Sequence, residues 1–135
     1  MATLTSFTFG TRLAGSVADA RPRVEAALQA EGFGVLTEID VQATMKAKLS
    51  VDRPPFLILG ACNPPLAHRA IEVDPSVGAL LPCNVVVRAD GPDTIVEVMD
   101  PVAALSFVKS TAIRPIADEA KARLERVIEA LEHRP

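Results

Sequence analysis

Tryptophan and tyrosine are absent from this chain, and phenylalanine occurs five times in 135 residues. A core without large rings must be assembled from Val, Leu, Ile and Ala. Binders of single-stranded nucleic acid stack bases on aromatic faces along a basic groove, and this sequence offers neither. Its net charge is −3 at pH 7 and its pI about 5.4, with no run of Lys or Arg. Duplex binding needs phosphate-neutralising cations. Nucleic acid is therefore not an expected partner.

Other absences narrow the field. No apolar run reaches the roughly 18 residues of a membrane span, so no membrane partner is expected. Only two cysteines occur, and no basic n-region or apolar h-region marks a secretory signal. That combination reads as a reducing, cytoplasmic setting of bacterial type. There is no phosphate-cradling Gly-rich loop, no Gly-x-Ser-x-Gly and no His-Glu-x-x-His. The two histidines are His68 and His133, and no serine signature accompanies either. Nothing assembles a catalytic constellation, which favours a non-enzyme and leaves an enzyme open.

What is present is an apolar chain with strong punctuation. Hydrophobic residues make up 49%, and the length suits one domain over residues 1–135. Thr3–Phe9 alternates as a strand does. Ser16 has the character of an N-cap, with Asp19 three residues on. The stripe Val17, Ala20, Val24, Ala27, Leu28 is helical, and Gly32 stops it. Pro22 interrupts that stripe, so the helix either kinks or begins near Pro22. Phe33–Asp40 is a strand and Val41–Leu49 a short helix capped by Asp40. Pro54-Pro55 leads into Phe56–Cys62, a continuous apolar run typical of a well-buried strand. Asn63-Pro64 opens a helix with Asn at N-cap and Pro at N1, and Asp74-Pro75 ends it. Cys83–Ala89 and Thr94–Met99 flank Asp90-Gly91-Pro92-Asp93, a hairpin signal. Val102–Val108 forms a short helix behind Asp100-Pro101. Pro115–Glu132 is a long amphipathic helix. The expected class is α+β: an antiparallel sheet of about five strands with helices packed on it.

Two Cys-Asn dipeptides in proline-rich settings are the candidate site. Cys62 precedes the N-cap Asn63, where free amides at a helix start lower a thiol pKa; against this, free cysteine is often just a small buried hydrophobe. Cys83 begins a strand and reaches Cys62 if the two strands are neighbours. A disulfide, a redox pair or a shared soft metal are then open, although no Cys-x-x-Cys supports any of them. His68 is the third ligand candidate, but it falls opposite the face of Leu66, Ala67, Ala70 and Ile71 and suits a solvated pair with Glu72. Asn63 and Asn84 read mainly as backbone-satisfying residues and otherwise as ligand contacts. Glu38 shares a strand face with Asp40, the pattern of a paired-carboxylate site, yet Asp40 also suits the N-cap of the following helix.

Ile58-Leu59-Gly60-Ala61-Cys62-Asn63-Pro64-Pro65-Leu66-Ala67-His68-Arg69-Ala70, followed by Gly78-Ala79-Leu80-Leu81-Pro82-Cys83-Asn84-Val85-Val86-Val87, closely resembles the domain-of-unknown-function 302 family. Gly32–Val41 and Met99-Asp100-Pro101 are also similar to it. Pro22 departs from the family's usual helix. The resemblance implies a compact fold similar to TATA-binding-protein-like layers, and homodimers. It carries a fold and no reaction.

Three functions follow as expectations. The first is a homodimeric binding module for a small ligand of unknown identity, or for a protein, with no cofactor implied. The second is a thiol-dependent redox or soft-metal protein using Cys62 and Cys83, with His68 as a further ligand and Zn or Cu(I) as the metal. The third is an enzyme with a carboxylate centre at Glu38.

Overall fold

The computed structural model describes residues 2–133. Strands β1 (Ala2–Thr3), β2 (Thr8–Ala14), β3 (Gly34–Asp40), β4 (Phe56–Cys62), β5 (Cys83–Asp90) and β6 (Asp93–Met99) form one sheet in the order β1-β2-β6-β5-β4-β3. Every pairing is antiparallel. Helices α1 (Val17–Ala30), α2 (Val41–Leu49), α3 (Pro64–Val73), α4 (Pro101–Ala104) and α5 (Ile113–Glu132) complete the fold, with short 3-10 turns at Pro75–Leu80 and Leu105–Phe107. The α+β expectation holds.

The first strand lies later than its alternation suggests. The Thr5 hydroxyl accepts from the amides of Phe7 and Thr8, a local bond that competes with strand pairing. The chain therefore turns at Thr5 and splits into β1 and β2, giving six strands. The alternation resumes beyond the turn, with Phe9 and Leu13 buried. Gly10 sits in the middle of β2. A Cβ there would collide with the backbone of Val96 on β6, so glycine lets β2 and β6 close up.

Helix α1 begins at Val17, capped by Ser16, and continues unbroken through Pro22. The ring removes the bond to the Ala18 carbonyl. Both Ala18 and Pro22 are exposed, so water can serve that carbonyl. At the other end Phe33 donates to the Leu28 carbonyl and Gly32 to that of Gln29, a Schellman arrangement. Gly32 has φ +84°, which favours glycine. The motif drives Phe33 into the interior.

Two apolar clusters result. The larger joins the helix-facing side of the sheet (Leu59, Val85, Val87, Val96, Val98) to α1 (Val24, Leu28) and the second half of α5 (Leu124, Ile128, Leu131). The smaller joins α3 (Leu66, Ala70) and Leu105 to the first half of α5 (Ile116, Ala120). Helix α5 therefore spans both. Its buried positions recur every three or four residues, as a one-sided stripe requires. By contrast α2 buries no side chain, and the last five residues of β3 are exposed.

Gly10→Ala should lose roughly 1–3 kcal/mol or more of stability in urea unfolding, because an added methyl meets backbone. Gly34→Ala, where a Cβ meets nothing within 4 Å, should stay within about 0.5 kcal/mol. Equal effects at the two sites would contradict this account of β2 and β6.

Candidate functional site

Strand β4 ends in Cys62, and the chain turns at once into α3. Asn63 makes that turn: its side-chain oxygen accepts from the Leu66 amide at 3.2 Å. Its nitrogen reaches the Glu31 carbonyl beyond α1 at 3.5 Å. Asn63 is only 7% exposed, so both ends of a buried amide are used, as burial requires. The N-cap expectation holds, and the packing against Gly32 is an addition to it.

The same geometry corrects the reading of Cys62. Pro64 and Pro65 occupy the first two helical positions and have no N–H. The next amide, Leu66, is taken by Asn63, and that of Ala67 by the Asn63 carbonyl at 2.9 Å. No free amide remains in the first turn to hold a thiolate. Burial then decides, and it pushes the Cys62 thiol upward.

Cys83 pairs in register with Ala61 on β4, one residue from Cys62. Successive residues of a strand point to opposite faces, so Cys83 shares a face with Ala61 and Cys62 takes the other. Both are free thiols and half-buried. Burial raises the Cys83 pKa to about 11, and charge on Cys62 adds to the rise. At neutral pH both thiols are protonated, which disfavours them as nucleophiles.

The thiols border a cavity of about 40 Å³ where the sheet meets α3, α4 and α5. Phe33, Leu66, Leu81, Met99, Leu105 and Ile116 are among its walls. Its one hydrogen-bonding side chain is Asn63, already committed as a cap. Asp100 anchors the α4 side: it caps α4 through the Val102 amide at 2.9 Å and accepts from Lys121 of α5 at 2.8 Å.

The other candidates lie elsewhere. His68 is exposed on α3. It forms no ion pair with Glu72, and no group of three or more His, Cys, Asp or Glu suited to a metal occurs among the described residues. Asn84 is exposed and sits opposite Gly60 in the sheet. Glu38 accepts from the Arg21 guanidinium at 2.7 Å, and Asp40 caps α2 through the Ala43 amide at 2.9 Å. The two carboxylates are thus each engaged, and neither borders the cavity. Met99, Leu81 and Ile116 carried no functional signal in the sequence, since each is an apolar residue at an element end or on a helix stripe. No helix is long and apolar enough to cross a membrane among the described residues.

Comparison with known proteins agrees with this architecture. The family model described as Domain of unknown function DUF302 matches residues 9–131. A solved structure, the uncharacterized conserved protein DUF302 from Bacillus stearothermophilus, is 27% identical, covering 94% of this chain and 99% of that chain, with a TM-score of 0.86. No curated protein matches the chain.

The buried Cys83 thiol makes stability depend on pH in one direction. The fold prefers the protonated form, so the contribution is intact below the ordinary value of 9.0 and is lost as pH rises through about 11. The loss should be roughly 2–3 kcal/mol, read by urea unfolding at stepped pH. Cys83→Ala should flatten that slope. The absence of tyrosine leaves lysine as the main background. An unchanged slope in the variant would refute the assignment.

Proposed function

The chain belongs to the DUF302 family, and on that premise we propose that it is a homodimeric, cytoplasmic, non-catalytic binding module. Its site is the cavity beside Cys62 and Cys83. The observation that carries this is the wall chemistry: apolar side chains and thiols, with one amide already spent on capping. Such a site recognises an occupant by shape and dispersion rather than by directed hydrogen bonds. Chemistry on a substrate would need free acids, bases or donors aimed at a reacting atom.

Magnitude limits the occupant. Sites for drug-sized molecules run about 300–1,000 Å³, and an engineered apolar cavity of about 150 Å³ accepts benzene. The cavity here is near 40 Å³. The closed form suits a group of one or a few heavy atoms. Anything larger requires displacement of the α4 segment.

Self-association rests on a separate observation. Helix α2 has nine residues and no buried side chain, whereas isolated helices under about 12–15 residues are marginal in water. Edge strand β3 beside it exposes Leu36 and Ile39, at 67% and 48%, and the α2 end exposes Leu49 at 64% and Val51 at 45%. Both charge signs border this patch: Glu38 and Asp52 against Lys46, Lys48 and Arg53. A two-fold interface must be self-complementary, and a patch with both signs meets that condition. A second copy across β3 and α2 is the reading that covers these residues.

Two measurements decide the matter. Xenon should shift the methyl resonances of Leu66, Leu105 and Ile116 in solution, and Ala104→Leu should abolish the shifts by filling the space. Silence from these methyls under xenon pressure would sink the binding cavity. In light scattering at micromolar concentration the wild type should be dimeric and Leu36→Asp monomeric. A monomeric wild type removes the dimer, and a dimer that survives Leu36→Asp removes this face.

A further inference from the structure

Strand β4 is apolar on both faces, yet the larger core cluster covers only one. Leu57, Leu59 and Ala61 point toward α1 and α5 and join that cluster. The alternate residues, Phe56 and Ile58, point the other way and belong to neither cluster. The same split occurs on β5, where Val85 and Val87 are buried and Val86 is not, and on β6, where Val96 is buried and Ile95 is not. We propose that this outer face of β4 and β5 is a docking surface for a second copy of the chain, the two sheets packing face to face. The inference rests on the self-association reading and extends its interface from the edge of the sheet onto the open face.

The residue pattern supports a covered face. An antiparallel sheet with one side in water alternates apolar and polar residues. Strand β2 obeys this, with Thr8 and Arg12 outward and Phe9 and Leu13 buried. A near-continuous apolar run belongs to a strand buried on both sides. Strand β4 has such a run, Phe56–Cys62, and its outward positions hold no charged or polar side chain. Contiguous apolar surface of this kind marks interaction sites.

Register joins these residues into one patch. Ile39 lies opposite Ile58, and Ile58 opposite Val86. Phe56 lies opposite Arg88, and Arg88 opposite Ile95. Ile39 is also part of the exposed β3 surface, so the face continues the proposed β3–α2 patch without a break. Charge gathers toward β2 and β6, already paired within the chain. Glu97 accepts from Arg88 at 2.9 Å and from Thr8 at 3.2 Å, and Arg12 pairs with Asp90 and Asp93. Covering the apolar half therefore strands no unpaired charge, which would be costly.

Area favours a second copy that uses both surfaces. A stable interface buries about 800 Å² per partner, from roughly 20–30 residues. Leu36, Ile39, Leu49 and Val51 alone form a small patch. Strands about 4.8 Å apart, with same-face residues about 6.8 Å apart, give three rows across five strands roughly 500 Å². The patch and the face together approach the required size. Both charge signs at the rim meet the self-complementarity that a two-fold axis imposes.

The test combines light scattering of the full chain at micromolar concentration with intermolecular NOEs in mixed, differently labelled dimers. Ile58→Glu should raise the dimer dissociation constant roughly thirtyfold or more. Ile71→Glu, at an exposed position on α3, should leave it unchanged. In the wild type the Ile58 and Val86 methyls should show contacts to the other copy, a readout independent of any variant's folding. Absence of these contacts, or a dimer that persists in Ile58→Glu, overturns the face; contacts from Leu36 and Leu49 in that case leave the β3–α2 reading standing. A dimer that survives Leu36→Asp but not Ile58→Glu keeps the face and removes the edge patch. A monomeric wild type removes both.

Discussion

One side-chain amide holds the working end of this molecule together. Asn63 caps α3 through the Leu66 amide, reaches the Glu31 carbonyl beyond α1, and packs on Gly32. An amide buried without partners costs several kcal/mol, so these contacts specify one arrangement of three chain segments. Phe33 follows Gly32 and Cys62 precedes Asn63. Two of the residues that border the cavity are therefore neighbours of this anchor. The Glu31 carbonyl also accepts from Arg123 of α5 at 3.2 Å, which ties the long helix to the same point.

Helix α5 then sets the division of the core. Its second half seals α1 onto the sheet, and its first half carries α3 and the α4 region. The cavity lies on the side of the smaller cluster. A core of small aliphatics explains how such a space persists. Ala61, Ala67, Ala70 and Ala120 all border it, and alanine cannot extend into a gap. Larger side chains there would close it, at the strain cost that overpacking brings.

Much of this was legible in the chain. The caps Ser16, Asp40, Asn63 and Asp100 all act as read, because a short polar side chain before a helix is a local device. The hairpin at Asp90–Asp93 and the stripe of α5 are local too. Legibility failed where distant atoms decide. Gly10 is a strand residue because β6 backbone lies against it, and Thr5 turns the chain where alternation alone predicts a strand. Pro22 is tolerated because its face is exposed. The two cysteines are recognisable as a pair worth attention, but the lowered pKa expected of Cys62 beside a helix start is reversed by burial. Asn63-Pro64 marks the helix start, and Pro65 after it completes the loss of the amides that would hold a thiolate.

By itself the sequence determined the element types, the α+β class, the family and the segments around each cysteine. These depend on periodicity and on contacts within a few residues. Tertiary structure alone decided that Cys83 lies opposite Ala61, that Met99 joins the cysteines at one cavity, and that His68 and Glu38 do not. It also left α2 with no fully buried side chain and the outer half of β3 exposed. Strand register couples residues about twenty positions apart through backbone hydrogen bonds, and nothing in local spacing encodes which partner a strand will meet. For the same reason the acidity of a thiol is a property of what surrounds it. Here the Cys83 thiol packs against the larger apolar cluster, whose members come from strands and helices far apart in the chain.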